Sequence, residues 1–196
     1  PHQIMKNLNI KLVFALVLSL SFSSLLQAQD IMSRFYQPSK DWQEIQGVDY
    51  DFYYQRADYD TITYMAVHPE GKAKGTIIYF HGAGGNMSTY LPLTQPMVEE
   101  GYRVFLIDFR GYGKSTGKAN HVNVARDAQM VFDKITKRKD VKKKDVIVYG
   151  ASLGSQVASK IALDNSRKVD ALVLDGPMTL FTDITLDYSE ENNHDN

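Results

Sequence analysis

Val146-Ile147-Val148-Tyr149-Gly150-Ala151-Ser152-Leu153-Gly154 is the stretch on which the fold turns. An apolar run is followed at once by G-x-S-x-G. Residues 153–164 then place Val157, Ala158, Ile161 and Ala162 on one face of a helix. Strand, sharp turn and helix are the context in which this pattern carries chemistry. The turn forces Ser152 into a strained conformation and thrusts its hydroxyl above the strand. The flanking glycines avoid collisions with neighbouring backbone. The helix start aims free N–H groups and the positive end of its dipole at the same point. The N–H of Leu153 is then placed to stabilise an oxyanion. The bland alternative is a tight turn with a passive serine.

Working outward, three more short runs share the character of residues 146–149. They are Thr76-Ile77-Ile78-Tyr79-Phe80, Val104-Phe105-Leu106-Ile107 and Ala171-Leu172-Val173-Leu174. Each is continuously apolar, as expected of strands buried on both faces. Helical segments are expected between them over 88–100, 122–138 and 153–164. The second carries Val124, Ala128, Val131, Phe132 and Ile135 at spacings of three and four. Strand and helix in alternation mean a mostly parallel sheet with helices on both faces. Before the first run, the tyrosine-rich stretches 48–54 and 61–67 read as a hairpin around Arg56-Ala57-Asp58-Tyr59-Asp60.

Two further loops leave the same edge of such a sheet, where sites form. His81-Gly82-Ala83-Gly84-Gly85-Asn86 follows the first run, and the N–H of Ala83 is the natural second oxyanion donor. The loop lacks the Lys-Ser/Thr of a phosphate-binding loop and the spacing of a dinucleotide fingerprint. His81 reads as a loop brace rather than a base. Asp108-Phe109-Arg110-Gly111-Tyr112-Gly113-Lys114-Ser115 follows the second run and reads as a braced turn in which Asp108 and Arg110 pair.

The three loops, in this order, resemble the α/β-hydrolase superfamily, and most of all its single-domain serine-aminopeptidase-like hydrolases. Their loops read HG-x-x-GN, D-x-RG-x-G-x-S and G-x-S-x-G. The resemblance covers roughly residues 60–180. It implies an α/β fold whose mostly parallel sheet opens with an antiparallel hairpin. It also implies Ser152 as nucleophile, the N–H groups of Ala83 and Leu153 as oxyanion hole, and an ester, amide or peptide bond as target.

A serine nucleophile needs a base and the base an orienting acid. The superfamily places them in the order Ser, acid, His. After Ser152 this sequence has one recognisable strand and then a polar tail, with the C-terminal strands missing. Asp175, at the end of that strand, is a candidate acid, or else a structural turn carboxylate. His194 is the only histidine after Ser152, and no predicted element holds it. The expectation is therefore a fragment or truncation lacking the catalytic histidine and inactive alone. An uncovered sheet edge and exposed apolar helix faces should accompany it. A non-catalytic binding protein on a degenerate hydrolase scaffold is the alternative.

Lys6 and Lys11, the apolar run Leu12–Leu26 and the small residue Ala28 read as an export signal over residues 1–28. The run is shorter than the roughly 20 residues that cross a bilayer. Cleavage near Gln29 to give a periplasmic or secreted protein is expected, with an uncleaved tether as alternative. A lead-in at 29–47, a partial α/β-hydrolase domain at 48–188 and a polar tail at 189–196 complete the organisation. Over 196 residues, 43% hydrophobic and 23% charged is ordinary globular composition. A net charge of −1 argues for no nucleic-acid partner. The absence of cysteine excludes disulfides, thiolate metal sites and a cysteine nucleophile. The basic cluster from Lys134 to Lys144 reads as a solvated surface. No metal or cofactor is implied. The expected partner is a small-molecule ester or amide, or a peptide.

Overall fold

The computed structural model describes residues 35–142 and 144–177. The chain divides into two units, Pro1–Phe35 and Tyr36–Asn196, and the elements below belong to the second. The export segment, the polar tail and His194 lie outside the described residues. In chain order the elements are β1 (Gln37–Pro38), β2 (Tyr50–Ala57), β3 (Asp60–Val67), β4 (Thr76–Phe80), β5 (Gly84–Gly85), α1 (Met87–Glu99), β6 (Arg103–Ile107), α2 (His121–Thr136), β7 (Val146–Ala151), α3 (Leu153–Asp164) and β8 (Ala171–Asp175).

Six strands form one sheet in the order β2-β3-β6-β4-β7-β8. The β2–β3 and β3–β6 pairs are antiparallel, and the rest are parallel. The continuous apolar runs behave as their composition demands: β4 is buried throughout and β6 from Val104 onward. One face carries Ile77, Tyr79, Val104 and Leu106 against Met87 and Leu91 of α1. The alternate residues Ile78, Phe80, Phe105 and Ile107 are equally buried but stand outside that cluster. Helices α2 and α3 pack on each other, and α3 also lies over β4, β7 and β8. Each fully buried large side chain contributes about 1.5–3 kcal/mol.

The register decides where chemistry can occur. Phe80 pairs with both Ile107 and Gly150, and Ala151 pairs with Asp175. The ends of β4, β6, β7 and β8 therefore lie along one edge, and the loops after β4, β6 and β7 meet there.

Two expectations change. The first hairpin strand runs three residues further, to Ala57, and the second starts one residue earlier, at Asp60, leaving a turn of only Asp58 and Tyr59. Asp58 takes φ 57°, a conformation that aspartate tolerates better than most residues, so the ladder continues to Ala57↔Asp60. The described part of the lead-in, residues 35–47, contributes a strand to the domain. Its β1 pairs in parallel with β5, inside the glycine-rich loop. β8 has the expected apolar run but is exposed along its length, with Leu172, Val173 and Leu174 each 40% accessible. Among the described residues it has a strand neighbour on one side only.

Candidate active site

Ser152 stands between β7 and α3 with φ 49° and ψ −116°. A side chain there is strained, and such strain persists only where its surroundings enforce it. Three constraints do so. The Ser152 N–H donates to the Asp175 carbonyl at 2.8 Å, and the Ser155 hydroxyl donates to the Gly150 carbonyl at 2.9 Å. A Cβ on Gly150 would collide with the Gly154 carbonyl, and one on Gly154 with the Phe80 carbonyl. The glycines are what allow helix and strand to close this tightly. Gly154→Ala is accordingly expected to cost about 3 kcal/mol by overpacking, because the obstacle is backbone and cannot rotate away. Urea denaturation should show it, and an unchanged midpoint would contradict the tight approach.

Serine at a helix N-cap ordinarily spends its hydroxyl on the first-turn amides. Ser152 makes no such bond. Among the described residues its hydroxyl has no hydrogen-bond partner. The Leu153 N–H, at the first helical position, has no intrahelical acceptor. Both face the start of α3, whose dipole favours negative charge.

The β4–α1 loop comes up beside this elbow. A Cβ on Gly82 would lie 3.5 Å from Ser152 Cβ. The orientation of the Gly82–Ala83 peptide is set by His81. The Phe109 N–H donates to His81 Nε2 at 3.3 Å, so the ring carries its proton on Nδ1, which donates to the Gly82 carbonyl at 2.8 Å. Across a trans peptide the Ala83 N–H then points away from His81. Among the described residues that N–H has no backbone acceptor. The Ala83 carbonyl is held by the Gln37 N–H at 3.0 Å and the Tyr112 hydroxyl at 2.6 Å. Asn86 closes the loop, capping α1 through Ser88 and donating from its amide to the Ser39 and Asp41 carbonyls.

His81 is thus a brace, as its position at a strand end suggests. Burial lowers its pKa to about 4, against a smaller upward pull from the Gly82 carbonyl. Its Nε2 stands 3.9 Å from Asp108 Oδ1, but that nitrogen accepts the Phe109 N–H and carries no proton, so the two form no ion pair. A histidine held neutral stabilises the fold above its unfolded pKa, and that stability drains away as pH falls through about 4. Asp108, pushed up to about 6 chiefly by burial, works in the opposite sense as pH rises through 6. Comparison of wild type with His81→Gln isolates the first effect. The stability advantage of wild type at pH 7 is expected to shrink by up to about 3 kcal/mol by pH 4. A pH-independent difference in urea denaturation would show that His81 titrates normally.

The expected Asp108–Arg110 pair does not form. Asp108 turns inward, accepting the Met87 N–H at 2.7 Å and the Lys114 N–H at 3.2 Å, and so ties the start of α1 to its own loop. Arg110 turns the other way. Its guanidinium binds both oxygens of Asp127, Nε to Oδ2 at 2.7 Å and Nη2 to Oδ1 at 2.8 Å, and reaches Asp60 at 2.8 Å. The turn is braced by other partners because the chain leaves β6 at Ile107, so the two-residue period that would keep positions 108 and 110 on one face no longer applies.

Asp175 stands beside the elbow at the end of β8. Its carboxylate accepts the Tyr149 hydroxyl at 2.9 Å. The described histidines are each engaged elsewhere. His68 sits between Asp51 and Arg103, His81 is bonded at both nitrogens, and His121 opens α2. A groove of about 900 Å³ between α2 and α3 is lined in part by Arg126, Met130 and Lys160, and includes neither Ser152 nor the glycine-rich loop. Among the described residues no group of His, Asp and Glu is arranged to hold a metal, and no helix is long and apolar enough to cross a membrane.

This arrangement has relatives. The model of the serine aminopeptidase family S33 matches residues 71–186. Protein bem46 of Schizosaccharomyces pombe is 31% identical over 124 residues, covering 62% of this chain and 42% of its own. The lysophosphatidylserine lipase ABHD12 of Danio rerio is 28% identical over 147 residues, covering 72% of this chain and 35% of its own. The chain therefore spans less than half the length of these curated relatives. Among solved structures, the Pyrococcus furiosus esterase Pf2001 superposes with a TM-score of 0.61 at 22% identity, covering 73% of this chain and 56% of that one. That likeness carries the fold. With elbow, glycine-rich loop and strand order in place across the matched span, the chain belongs to the serine aminopeptidase S33 family of α/β hydrolases.

Proposed function

We propose that this protein is a serine hydrolase that cleaves an ester, amide or peptide bond through an acyl-enzyme on Ser152. One observation carries the reading: a serine at positive φ on a helix N-terminus, with its hydroxyl unspent on capping. In the proposed reaction Ser152 Oγ bonds to the substrate carbonyl carbon, and the carbonyl π pair moves onto oxygen. The N–H groups of Ala83 and Leu153 stabilise that charge. Collapse expels the alcohol or amine, which takes up the proton lost by Ser152. Water then adds to the acyl group, releases the acid and restores the serine proton. The base that carries these protons belongs to a histidine outside the described residues, and Asp175 is the candidate acid within them. The names of the lipase and esterase relatives make a carboxylic ester the bond to try first.

A binding protein on the same scaffold is the second reading. It is favoured by the commitment of His68 and His81 to other partners. A fluorophosphonate separates the two. Mass spectrometry of the full-length protein should find the adduct on the peptide holding Ser152. Absence of an adduct supports the binding protein. We also infer export with cleavage near Gln29, on the charged–apolar–small order of residues 6–28; a mature chain that still carries residues 5–28 would replace cleavage with the uncleaved tether.

A further inference from the structure

We propose that the Tyr90 hydroxyl is a third hydrogen-bond donor to the carbonyl oxygen under attack, alongside the N–H groups of Ala83 and Leu153. This rests on the reading of Ser152 as nucleophile. Tyr90 lies in the first turn of α1, one turn beyond the Asn86 cap. Its ring lies against His81, with centroids 5.5 Å apart, and against Tyr79 at 6.1 Å. Those contacts carry the hydroxyl back over the glycine-rich loop. The place where a Cβ on Gly82 would sit is 2.5 Å from Tyr90 Oη and 3.5 Å from Ser152 Cβ. Phenol oxygen and nucleophile thus flank the same glycine. Ser152, Ala83 and Tyr90 are each part-exposed at this point, whereas Gly82 and Leu153 are buried beneath them.

The hydrogen-bonding capacity of the phenol fixes its role. Its oxygen faces the Gly82 amide, which draws its pKa down while burial pushes it up by more. The group therefore keeps its proton and cannot serve as the base. Among the described residues that proton has no acceptor. A donor held by two aromatic contacts, with its acceptor side turned to an amide, has its proton left to face solvent or substrate. Residue 82 must be glycine for the phenol to approach this closely, which explains the first glycine of the loop. No sequence pattern points to Tyr90, because it lies outside the loop motif.

The test uses the full-length protein, a p-nitrophenyl ester and two replacements. Tyr90→Phe keeps both ring contacts and removes the O–H. It should lower kcat about 10- to 100-fold with KM and thermal midpoint unchanged, the signature of a bond made in the transition state. Difluorotyrosine at position 90 keeps the oxygen but acidifies the phenol. The alkaline limb of kcat/KM should then move to lower pH, as the donor is lost on ionisation. A purely structural ring would leave that limb in place. Tyr90→Phe turnover within twofold of wild type, a rise in KM at constant kcat, or an unmoved alkaline limb would each overturn the assignment while leaving Ser152 standing, provided the wild type acquires the fluorophosphonate adduct there. A wild type with no adduct and no turnover removes the Ser152 reading, and this inference with it.

Discussion

Ser152→Ala in the full-length protein is expected to lower ester turnover by about 10⁴- to 10⁶-fold, the larger figure corresponding to about 8 kcal/mol of lost transition-state stabilisation. On the proposed reading, nothing else at the elbow would replace Ser152 as nucleophile. Leu153 and Gly154 follow it, and the nearest described hydroxyl on α3, Ser155, is bonded to Gly150. The residual rate would come from the Ala83 and Leu153 amides acting on a water-attacked carbonyl. Stability should hardly respond, because the Ser152 hydroxyl bonds to no described residue; a change within about 0.5 kcal/mol is expected. Ser152→Gly should lose the same activity yet gain about 1 kcal/mol, since glycine accepts φ 49° without strain. Steady-state kinetics paired with urea denaturation read both. Robust turnover in Ser152→Ala would remove the residue from the mechanism. A marked loss of stability would show that its hydroxyl is a structural group.

The second large effect lies away from the nucleophile. Arg110→Ala is expected to destabilise the fold by about 3–5 kcal/mol, a shift of about 2 M in the urea midpoint. The Arg110 and Asp127 side chains are only 7% and 5% exposed, so the pair is screened little by water. Removal of the cation leaves Asp127 buried without its two-point partner, and Asp60 loses its bond as well. Hydrogen bonding to Asp127 is the main reason the guanidinium pKa is raised. The cost comes from the stranded carboxylate. A double variant, Arg110→Met with Asp127→Leu, should therefore recover most of the loss by replacing charge with packing. If Arg110→Ala unfolds within about 0.5 kcal/mol of wild type, the network is no anchor for this loop.

Much of the fold is legible in residues 76–175 because its signals are local. As a strand, a continuous apolar run such as Thr76–Phe80 can bury all its side chains only in a sheet covered on both faces. The three- and four-residue spacing of Val124, Ala128, Val131 and Ile135 sets one buried stripe of α2, and those residues are buried. The elbow is legible for a similar reason: two glycines and a serine within five residues meet a constraint that those residues themselves create.

The lead-in shows where such signals stop. β1 is two residues long, too short for any periodicity, yet Gln37 bonds to Ala83 and Ser39 to Gly85. Tyr112 belongs to one loop motif but its hydroxyl holds the carbonyl of another, 29 positions away. Proximity in sequence suggested that Asp108 and Arg110 pair. The chain leaves β6 at Ile107, and the turn that follows sends one to the start of α1 and the other to α2 and the hairpin.

By itself, then, the sequence determined the strand–helix alternation, the order of the three loops and the serine at the elbow, because each depends on residues a few positions apart. Tertiary structure alone decided the tautomer of His81, the partners of Arg110, the clamp on the glycine-rich loop and the placing of Tyr90 beside Ser152. A hydrogen bond depends on distance and direction in space, and the packing of helices on the sheet sets both for residues far apart along the chain.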